Sequence, residues 1–165
     1  MFFVRTAAQA DLAAVSKLLG ETWHATYDPI YGVARVSEIT AEWHSVAALK
    51  SRLGRPQSEF VVADDGKLLA GMGFAALDPK APKTALLHQL YVHPDHQGQG
   101  IGRDLFAELE TCFPDAERMR VEVAAENGRA IHFYTRLGFS EVGRTDICAG
   151  KAGMPTVILE KRLEF

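Results

Sequence analysis

Three glycines at alternate positions precede an amphipathic run, and this feature most restricts how the chain can fold. They are Gly98, Gly100 and Gly102, within the stretch VHPDHQGQGIGRDLF. Glycine adopts dihedral angles that other residues avoid, and it lets a ligand approach the backbone closely. Unpaired amides at a helix start carry positive partial charge and bind phosphate groups. The stretch therefore predicts a strand, a phosphate-binding loop and a helix, although a plain turn between strand and helix would use the same residues.

Two common phosphate-binding motifs do not match this stretch. A P-loop needs Gly-Lys followed by Ser or Thr, whereas Gly102 is followed by Arg103 and Asp104. A dinucleotide fingerprint that begins at Gly98 would need a third glycine at Arg103, and it follows the first strand of a parallel unit. Both nucleotide-binding folds are therefore disfavoured.

The hydrophobic pattern along the chain predicts an α/β protein with a mixed sheet (α+β) and about four flanking helices, not a doubly wound sheet. The expected order is a strand, two helices, three strands, a helix, a strand, a helix and two strands. SEFVVADDGKLLAGMGFAAL reads as two strands about an Asp65-Gly66 turn. TALLHQLYV is apolar on both faces, which is typical of a central strand. The aromatic segment TWHATYDPIYG is predicted to be a loop after the first helix, broken by Pro29 and Gly32.

Composition and charge indicate one ordinary globular domain over residues 1–165, with 47% hydrophobic and 24% charged residues. The formal net charge of -3 gives no electrostatic reason to expect nucleic acid or an anionic membrane as a partner. No apolar run is long enough to span a bilayer, and the first residues do not resemble a signal peptide. Cys112 and Cys148 are too few for a disulfide scaffold and lack metal spacing. A cytoplasmic location is therefore expected.

A second motif, ENGRAIHFYTRLGF, begins at Glu126, 24 residues after the last of the three glycines. It resembles the second signature of the GNAT superfamily of acyl-CoA-dependent N-acyltransferases, a helix with Asn, Ala and a Tyr before Gly-Phe. QGQGIG fits the same family's Gln/Arg-x-x-Gly-x-Gly/Ala pyrophosphate loop, and the two motifs cover about Ala85 to Arg144. The resemblance implies the family fold, with acetyl-CoA bound where the central strand and the RMRVEV strand separate. It also implies transfer of an acetyl group to a primary amine of a small molecule or peptide.

The resemblance assigns cofactor-binding roles by position. Leu90, Tyr91 and Val92 would pair their main chain with the pantetheine arm, which behaves like an added strand. Asn127 would bond to the cofactor arm near the start of its helix. The residues that would hold the pyrophosphate, chiefly through backbone amides, are Gln97, Gly98, Gln99, Gly100, Ile101, Gly102 and Arg103.

The implied chemistry needs a base and an acid. An alkyl amine has a pKa near ~10.4, so its neutral, reactive form costs roughly 4–5 kcal/mol at neutral pH. A base must therefore take its proton, directly or through water, and the departing thiolate needs a proton in return. The resemblance places Tyr134 beside the thioester sulfur as the acid, although the same helical stripe would suit a core tyrosine. The main chain from Leu90 to Val92 is expected to stabilise the oxyanion.

His88 is the first candidate for the base, because it shares a face of the central strand with Leu86 and Leu90 and histidine titrates near neutral pH. Serotonin-type acetyltransferases of this family also carry a histidine nine residues before the loop. Many relatives instead place a Glu on this strand, and none stands between Thr84 and Val92. His88 would alternatively be a hydrogen-bonded strand histidine. The lesser candidates are Glu21, Glu122 and His24.

The aromatic segment is expected to form the acceptor site. Its candidate residues are Trp23, His24, Tyr27 and Tyr31. They would close over an amine by stacking or cation–π contact, with Asp28 or Glu21 pairing its charge. Alternatively, Trp23 and Tyr27 simply pin the segment to the core. The C-terminal turn AGKAGMP is a candidate for the opposite wall.

Other functions remain open from the sequence. The chain would serve as a non-catalytic acetyl-CoA-binding regulatory module if it kept the loop and lost the chemistry. An adapter domain would use the aromatic segment to dock a protein. No metal is expected, because His93 and His96 are loosely spaced and no cysteine is near. A homodimer is expected by analogy with family members.

Overall fold

A mixed sheet accompanied by helices forms the fold, as the sequence predicted. The computed structural model describes residues 1–148 and 151–164. Its strands are β1 Phe3–Thr6, β2 Ser58–Asp64, β3 Leu69–Asp78, β4 Ala81–Val92, β5 Arg118–Ala124, β6 Ser140–Cys148 and β7 Lys151–Arg162. Its α-helices are α1 Leu12–Tyr31, α2 Val33–Trp43, α3 Val46–Leu53, α4 Ile101–Glu110 and α5 Gly128–Arg136. The strands follow the order β1-β2-β3-β4-β5-β7-β6, with parallel and antiparallel neighbours.

Two compact units divide the chain. The first consists of Met1–Ala76 and Gln89–Cys112, and the second of Leu77–His88 and Phe113–Phe165. The glycine loop and the aromatic segment belong to the first unit. His88, Asn127 and Tyr134 belong to the second. The expectation of one domain over residues 1–165 stays a prediction.

The first unit is built on antiparallel pairing of β1, β2 and β3, with Thr6 opposite Val61 and Phe60 opposite Phe74. The predicted hairpin turn joins β2 to β3. Gly66 has φ 93°, which favours glycine, and its N–H donates to Asp64 Oδ1 over 2.7 Å. The core of this unit contains Leu12, Val15, Leu18, Leu19, Leu49, Phe60, Val62, Met72 and Phe74.

Two glycines of β3 allow close packing inside the first unit. A Cβ added at Gly71 would lie 2.8 Å from the Tyr91 carbonyl oxygen and 3.0 Å from Leu105 Cδ1. A Cβ at Gly73 would lie 2.7 Å from Leu109 Cδ1. Because β3 lacks side chains at both places, α4 packs directly on it. This contact holds α4, whose first residue follows the glycine loop, on the sheet of the first unit.

The aromatic segment is helical, so the predicted loop is wrong. α1 runs to Tyr31 and contains Pro29. Proline near a helix C-terminus removes one hydrogen bond but keeps a helical φ, and burial of Trp23 and Tyr27 holds the turn in place. The helix ends at Gly32, whose φ of 85° favours glycine and whose N–H donates to the Asp28 carbonyl over 2.9 Å.

The region expected as one second helix is divided, which gives five α-helices in the described residues. Ser45 separates α2 from α3 with an extended backbone, φ -66° and ψ 159°. Its Oγ accepts the N–H of Ala48 over 3.2 Å and caps α3. A serine cap of this kind starts a new helix. None of the described helices has the length and apolar character needed to cross a membrane.

The second unit combines a parallel and an antiparallel ladder on β5. Thr84–Leu87 of β4 pair in parallel with Arg118–Val121. Residues Arg118–Ala124 pair antiparallel with β7. β5 therefore continues beyond its ladder with β4, at the end where the sequence predicts that the two strands separate.

Candidate active site

The glycine loop of the first unit has the backbone that its sequence predicted. Gly98 has φ 80°, and Gly100 has φ 83° and ψ 4°. A Cβ at either position would meet no atom within 4 Å. Backbone conformation, and not crowding by the protein, therefore requires glycine at both positions. The space beside the loop is open to a ligand.

The start of α4 presents main-chain amides. Gly100 is the N-cap and has no side chain to satisfy them. The Asp104 N–H donates to the Gly100 carbonyl over 3.0 Å, and the amides that precede it in a helix have no intrahelical partner. They belong to Ile101, Gly102 and Arg103. These donors and the helix dipole suit an anion.

His93 fixes the start of the loop. Its Nε2 lies 2.6 Å from Glu21 Oε2 on α1, and its Nδ1 accepts the Asp95 N–H over 3.1 Å. The proton of the neutral ring is therefore on Nε2. The His93 N–H also donates to the Ala70 carbonyl over 2.8 Å. Gln97, predicted to bind the cofactor, donates from Nε2 to the Val92 carbonyl over 3.0 Å.

The end of β4 has two differently directed sets of main-chain groups. The His93 N–H bonds to Ala70 of β3, and the Tyr91 carbonyl oxygen also approaches β3 at Gly71. In a strand, alternate residues direct their main-chain groups to the same side. The main chain of Leu90 and Val92 is therefore directed away from β3. These two residues are the better suited of the predicted three to pair with an added strand.

The second unit holds Asn127 and Tyr134 at the two ends of α5. Asn127 Oδ1 accepts the Ala130 N–H over 3.2 Å and caps the helix, as predicted. Tyr134 is 6% exposed, with its ring 5.4 Å from that of Phe139. The Phe139 N–H donates to the Tyr134 carbonyl over 3.0 Å, across Gly138 with φ 105°. This left-handed helix end fixes the position of Tyr134.

The four acceptor candidates differ in exposure. Trp23 and Tyr27 are 4% and 6% exposed, with ring centroids 4.4 Å apart. Tyr31 is half-buried and stacks on Tyr27 at 5.6 Å, with the Arg35 guanidinium 5.3 Å from its ring. Burial of Trp23 and Tyr27 agrees with the alternative that they pin the segment to the core.

His24 has the geometry of an oriented base. Its Nδ1 lies 2.7 Å from Asp28 Oδ1, and its Nε2 lies 3.4 Å from Ser37 Oγ. Because the carboxylate accepts from Nδ1–H, the neutral ring keeps its lone pair on Nε2. His24 is half-buried, so a ligand can reach it. Asp28 therefore pairs with His24. The sequence had suggested Asp28 as a partner for the positive charge of the acceptor amine.

The remaining base candidates have distinct environments. His88 is exposed on β4, whereas its neighbour Leu87 is buried. Glu21 holds His93 and lies 3.8 Å from Lys17 Nζ. Glu122 is exposed as a residue, but nearby protein atoms partly desolvate its carboxyl group and raise its pKa, with Arg120 opposing.

A cluster of buried polar side chains was not predicted from the sequence. His44 is 2% exposed, and within the described residues neither of its ring nitrogens has a hydrogen-bond partner. In the same part of the chain, Trp23 Nε1 and Arg52 Nη1 are also buried without a partner. The ring centroids of Trp23 and His44 are 5.4 Å apart, and that of Tyr91 lies 6.3 Å from each. The sequence gives only a weak signal, which is that His44 and Arg52 stand next to the hydrophobic residues Trp43 and Leu53.

His44 makes stability depend on pH. Burial, with help from the Arg52 charge, lowers its pKa from 6.5 to about 3. Below pH 6.5, His44 binds a proton in the unfolded chain but not in the folded chain. Its contribution to the free energy of unfolding is therefore fully present above pH 6.5 and is lost as the pH falls toward 3. The loss approaches about 1.36 kcal/mol per pH unit. We expect the free energy of unfolding in urea to depend less steeply on pH in His44→Phe than in the wild type. The difference in slope should correspond to about one bound proton.

The exposed His132 gives the control. We expect His132→Gln to keep the pH slope of the wild type. A His44→Phe variant with the wild-type slope would contradict the assignment to His44.

Within residues 1–148 and 151–164, no group of three His, Cys, Asp or Glu side chains could hold a metal. Cys112 is half-buried, and burial raises the pKa of its thiol to about 11. It is therefore protonated at neutral pH. The turn AGKAGMP contains residues 149 and 150, which lie outside the described residues.

Known proteins share both the sequence pattern and the fold. A model of the Acetyltransferase (GNAT) family matches residues 17–139. N-alpha-acetyltransferase RimI of Mycobacterium tuberculosis is 35% identical over 98 residues, which cover 59% of this chain and 61% of the relative. Spermidine N(1)-acetyltransferase of Thermoplasma acidophilum is 27% identical over 140 residues, which cover 82% and 86%. The chain thus spans less than two thirds of the mycobacterial relative.

Among solved structures, the PaiA N-acetyltransferase from Thermoplasma acidophilum in complex with coenzyme A has a TM-score of 0.84. The match covers 98% of this chain and 99% of that one at 23% identity. At this identity the likeness establishes the fold, and the family model, which matches most of the chain, establishes the relationship. The chain belongs to the GNAT family of acetyltransferases.

Proposed function

We propose that this protein transfers the acetyl group of acetyl-CoA to a primary amine of a small molecule or peptide. The observation that carries the proposal is the glycine loop, in which Gly98 and Gly100 are left-handed beside open space at the start of α4. A diphosphate needs convergent N–H donors and close backbone approach, and this loop offers both. The archaeal PaiA enzyme, which shares the fold, was solved in complex with coenzyme A.

The proposed roles divide between binding and proton transfer. Gln97–Arg103 would bind the diphosphate, and the main chain of Leu90 and Val92 would pair with the pantetheine arm. The main chain of Tyr91 is directed to β3, so the predicted pairing of this residue with the pantetheine arm would involve its side chain. Asn127 would donate from its side-chain amide to the cofactor arm.

The bound cosubstrate supplies an acetyl thioester that an amine can attack. Tyr134 would hold the proton that the departing sulfur takes. A main-chain N–H of Leu90 or Val92 would donate to the thioester carbonyl oxygen. His88 would take the amine proton, because it is exposed and histidine is poised near neutral pH. His24 is a second candidate, favoured by its bond to Asp28.

Two relatives support a primary amine as the acceptor, because one is named an N-alpha-acetyltransferase and the other a spermidine N(1)-acetyltransferase. His24 and Tyr31 are the accessible members of the proposed acceptor site, and Trp23 and Tyr27 would form its inner wall. A cytoplasmic homodimer without nucleic-acid or membrane partners completes the proposal.

Calorimetry with acetyl-CoA and a free-thiol release assay over a panel of primary amines test the function together. We expect a heat of binding, and thiol release that depends on an amine. Binding without release for any amine would favour a regulatory acetyl-CoA-binding module. Absence of binding would contradict both and favour an adapter domain.

The base is tested by comparing His88→Ala with His24→Ala. We expect His88→Ala to lower kcat by about 100-fold and to remove the acidic limb of the pH–rate curve, because the proton acceptor of that limb is lost. His24→Ala should keep the limb. The reverse pattern, in which only His24→Ala loses it, would transfer the role to His24.

A further inference from the structure

A cluster of hydrogen-bond donors is buried between α1, α3 and the end of β4 in the first unit. It consists of Trp23, His44 and Arg52, and we call it the donor cluster. Trp23 and His44 are 4% and 2% exposed, and Arg52 is half-buried. Within the described residues, each has at least one buried polar nitrogen without a partner. Native proteins satisfy nearly all such atoms, so three in one place favour a site that binds a polar group.

The charge of Arg52 favours an anion as the group that binds at the donor cluster. Its Nη2 donates to the Trp43 carbonyl, and its Nη1 has no partner. Among the ion pairs of the described residues, none includes Arg52. Burial disfavours the charged guanidinium and lowers its pKa, with the nearby Tyr91 opposing this effect. A buried cation without a counter-charge is unfavourable, and a carboxylate is the group whose geometry best fits guanidinium.

Trp23 and His44, the other two members of the donor cluster, also favour a hydrogen-bond acceptor such as an anion. Trp23 Nε1 can only donate a hydrogen bond, and neutral His44 donates from one nitrogen. Their rings contact Tyr91, which lies between Leu90 and Val92 on β4. Leu90 and Val92 are the residues proposed to pair with the pantetheine arm. An acceptor near this segment would therefore bring its other end to the donor cluster.

We propose that the donor cluster recognises a carboxylate of the acceptor, so that the preferred substrate is a small amine that also carries a carboxylate, such as an amino acid. This inference rests on the proposed acetyl transfer. Arg52 is the specificity-determining residue. Its long, half-exposed side chain reaches solvent, so it can turn Nη1 to an entering carboxylate while Trp23 and His44 donate from the inner side.

The experiment uses matched acceptors with the full-length protein. Several amino acids are each compared with the corresponding amide and the decarboxylated amine, and kcat/KM is measured by thiol release. We expect each amino acid to exceed its two analogues by about 10- to 100-fold, the range of a hydrogen-bonded charge. Arg52→Met should reduce the amino acids to the level of their amides and leave the amides and the KM for acetyl-CoA unchanged.

Lys50→Met provides the control, because Lys50 is an exposed cation on the same helix. It should retain the carboxylate preference. Thermal unfolding tests for a structural role, because Arg52→Met also loses the hydrogen bond to the Trp43 carbonyl. Wild-type kcat/KM for the amides then shows that the loss of amino-acid preference does not come from a damaged fold. Equal kcat/KM for amino acids and amides, or a preference for a polyamine or peptide N-terminus that Arg52→Met preserves, would overturn the inference while acetyl transfer stands. Absence of thiol release with every amine would instead refute the proposed function.

Discussion

Replacing Tyr134 by phenylalanine is expected to lower kcat by roughly 100- to 10,000-fold, the range of a lost general acid. The hydroxyl group is the only part removed, so the ring should keep its edge contact with Phe139 at 5.4 Å. Binding of acetyl-CoA should change little, because the proposed diphosphate contacts belong to main-chain amides. Steady-state kinetics give kcat, and calorimetry gives the Kd for acetyl-CoA.

Stability must be measured on the same variant, because Tyr134 is also a buried residue. A modest change in melting temperature with a large fall in kcat supports the acid. If kcat stays at the wild-type value across the whole pH range of activity, Tyr134 is a core residue and the proton comes from elsewhere.

Alanine at Gly98 and Gly100 together is expected to weaken acetyl-CoA binding by about 30- to 1,000-fold. A left-handed alanine costs about 1–2 kcal/mol at each position, and about 1.4 kcal/mol corresponds to a factor of ten in Kd. The added Cβ atoms meet nothing within 4 Å in the free protein, so the loop can relax without unfolding the domain. Binding must then restore the left-handed backbone, and the cost appears in Kd.

Gly54→Ala is the matched control, because Gly54 also has open space around it but a φ of -87°. It should leave both Kd and kcat unchanged. A double variant at Gly98 and Gly100 with wild-type affinity for acetyl-CoA would contradict the role of the loop.

Features that depend on neighbouring residues were readable from the sequence. The left-handed glycines Gly98, Gly100 and Gly138 follow from local backbone demands, and Asn127 caps its helix through a residue three positions later. The hydrophobic pattern predicted the mixed sheet, and the family resemblance of the two motifs implied the same fold. Acid and base assignments rest on that resemblance and stay predictions.

Features that depend on distant contacts were not readable. Pro29 sits inside α1 because Trp23 and Tyr27 are buried, which local propensity could not reveal. The donor cluster brings together residues of α1, α3 and β4 that are distant in sequence. No local pattern around Arg52 therefore marks it as a member. Gly71 was correctly placed in a strand. Its role in leaving room for Tyr91 and α4 depends on contacts that the local sequence does not show.

The central claim is that main-chain amides between Gln97 and Arg103 bind the diphosphate of coenzyme A. Amide NMR shifts of these residues, followed during titration with coenzyme A and separately with pantetheine, test it most directly. The account predicts that coenzyme A shifts the Gly98–Arg103 amides strongly and that pantetheine, which lacks the diphosphate, leaves them nearly unmoved. Saturable binding of coenzyme A without a shift in these amides would contradict it.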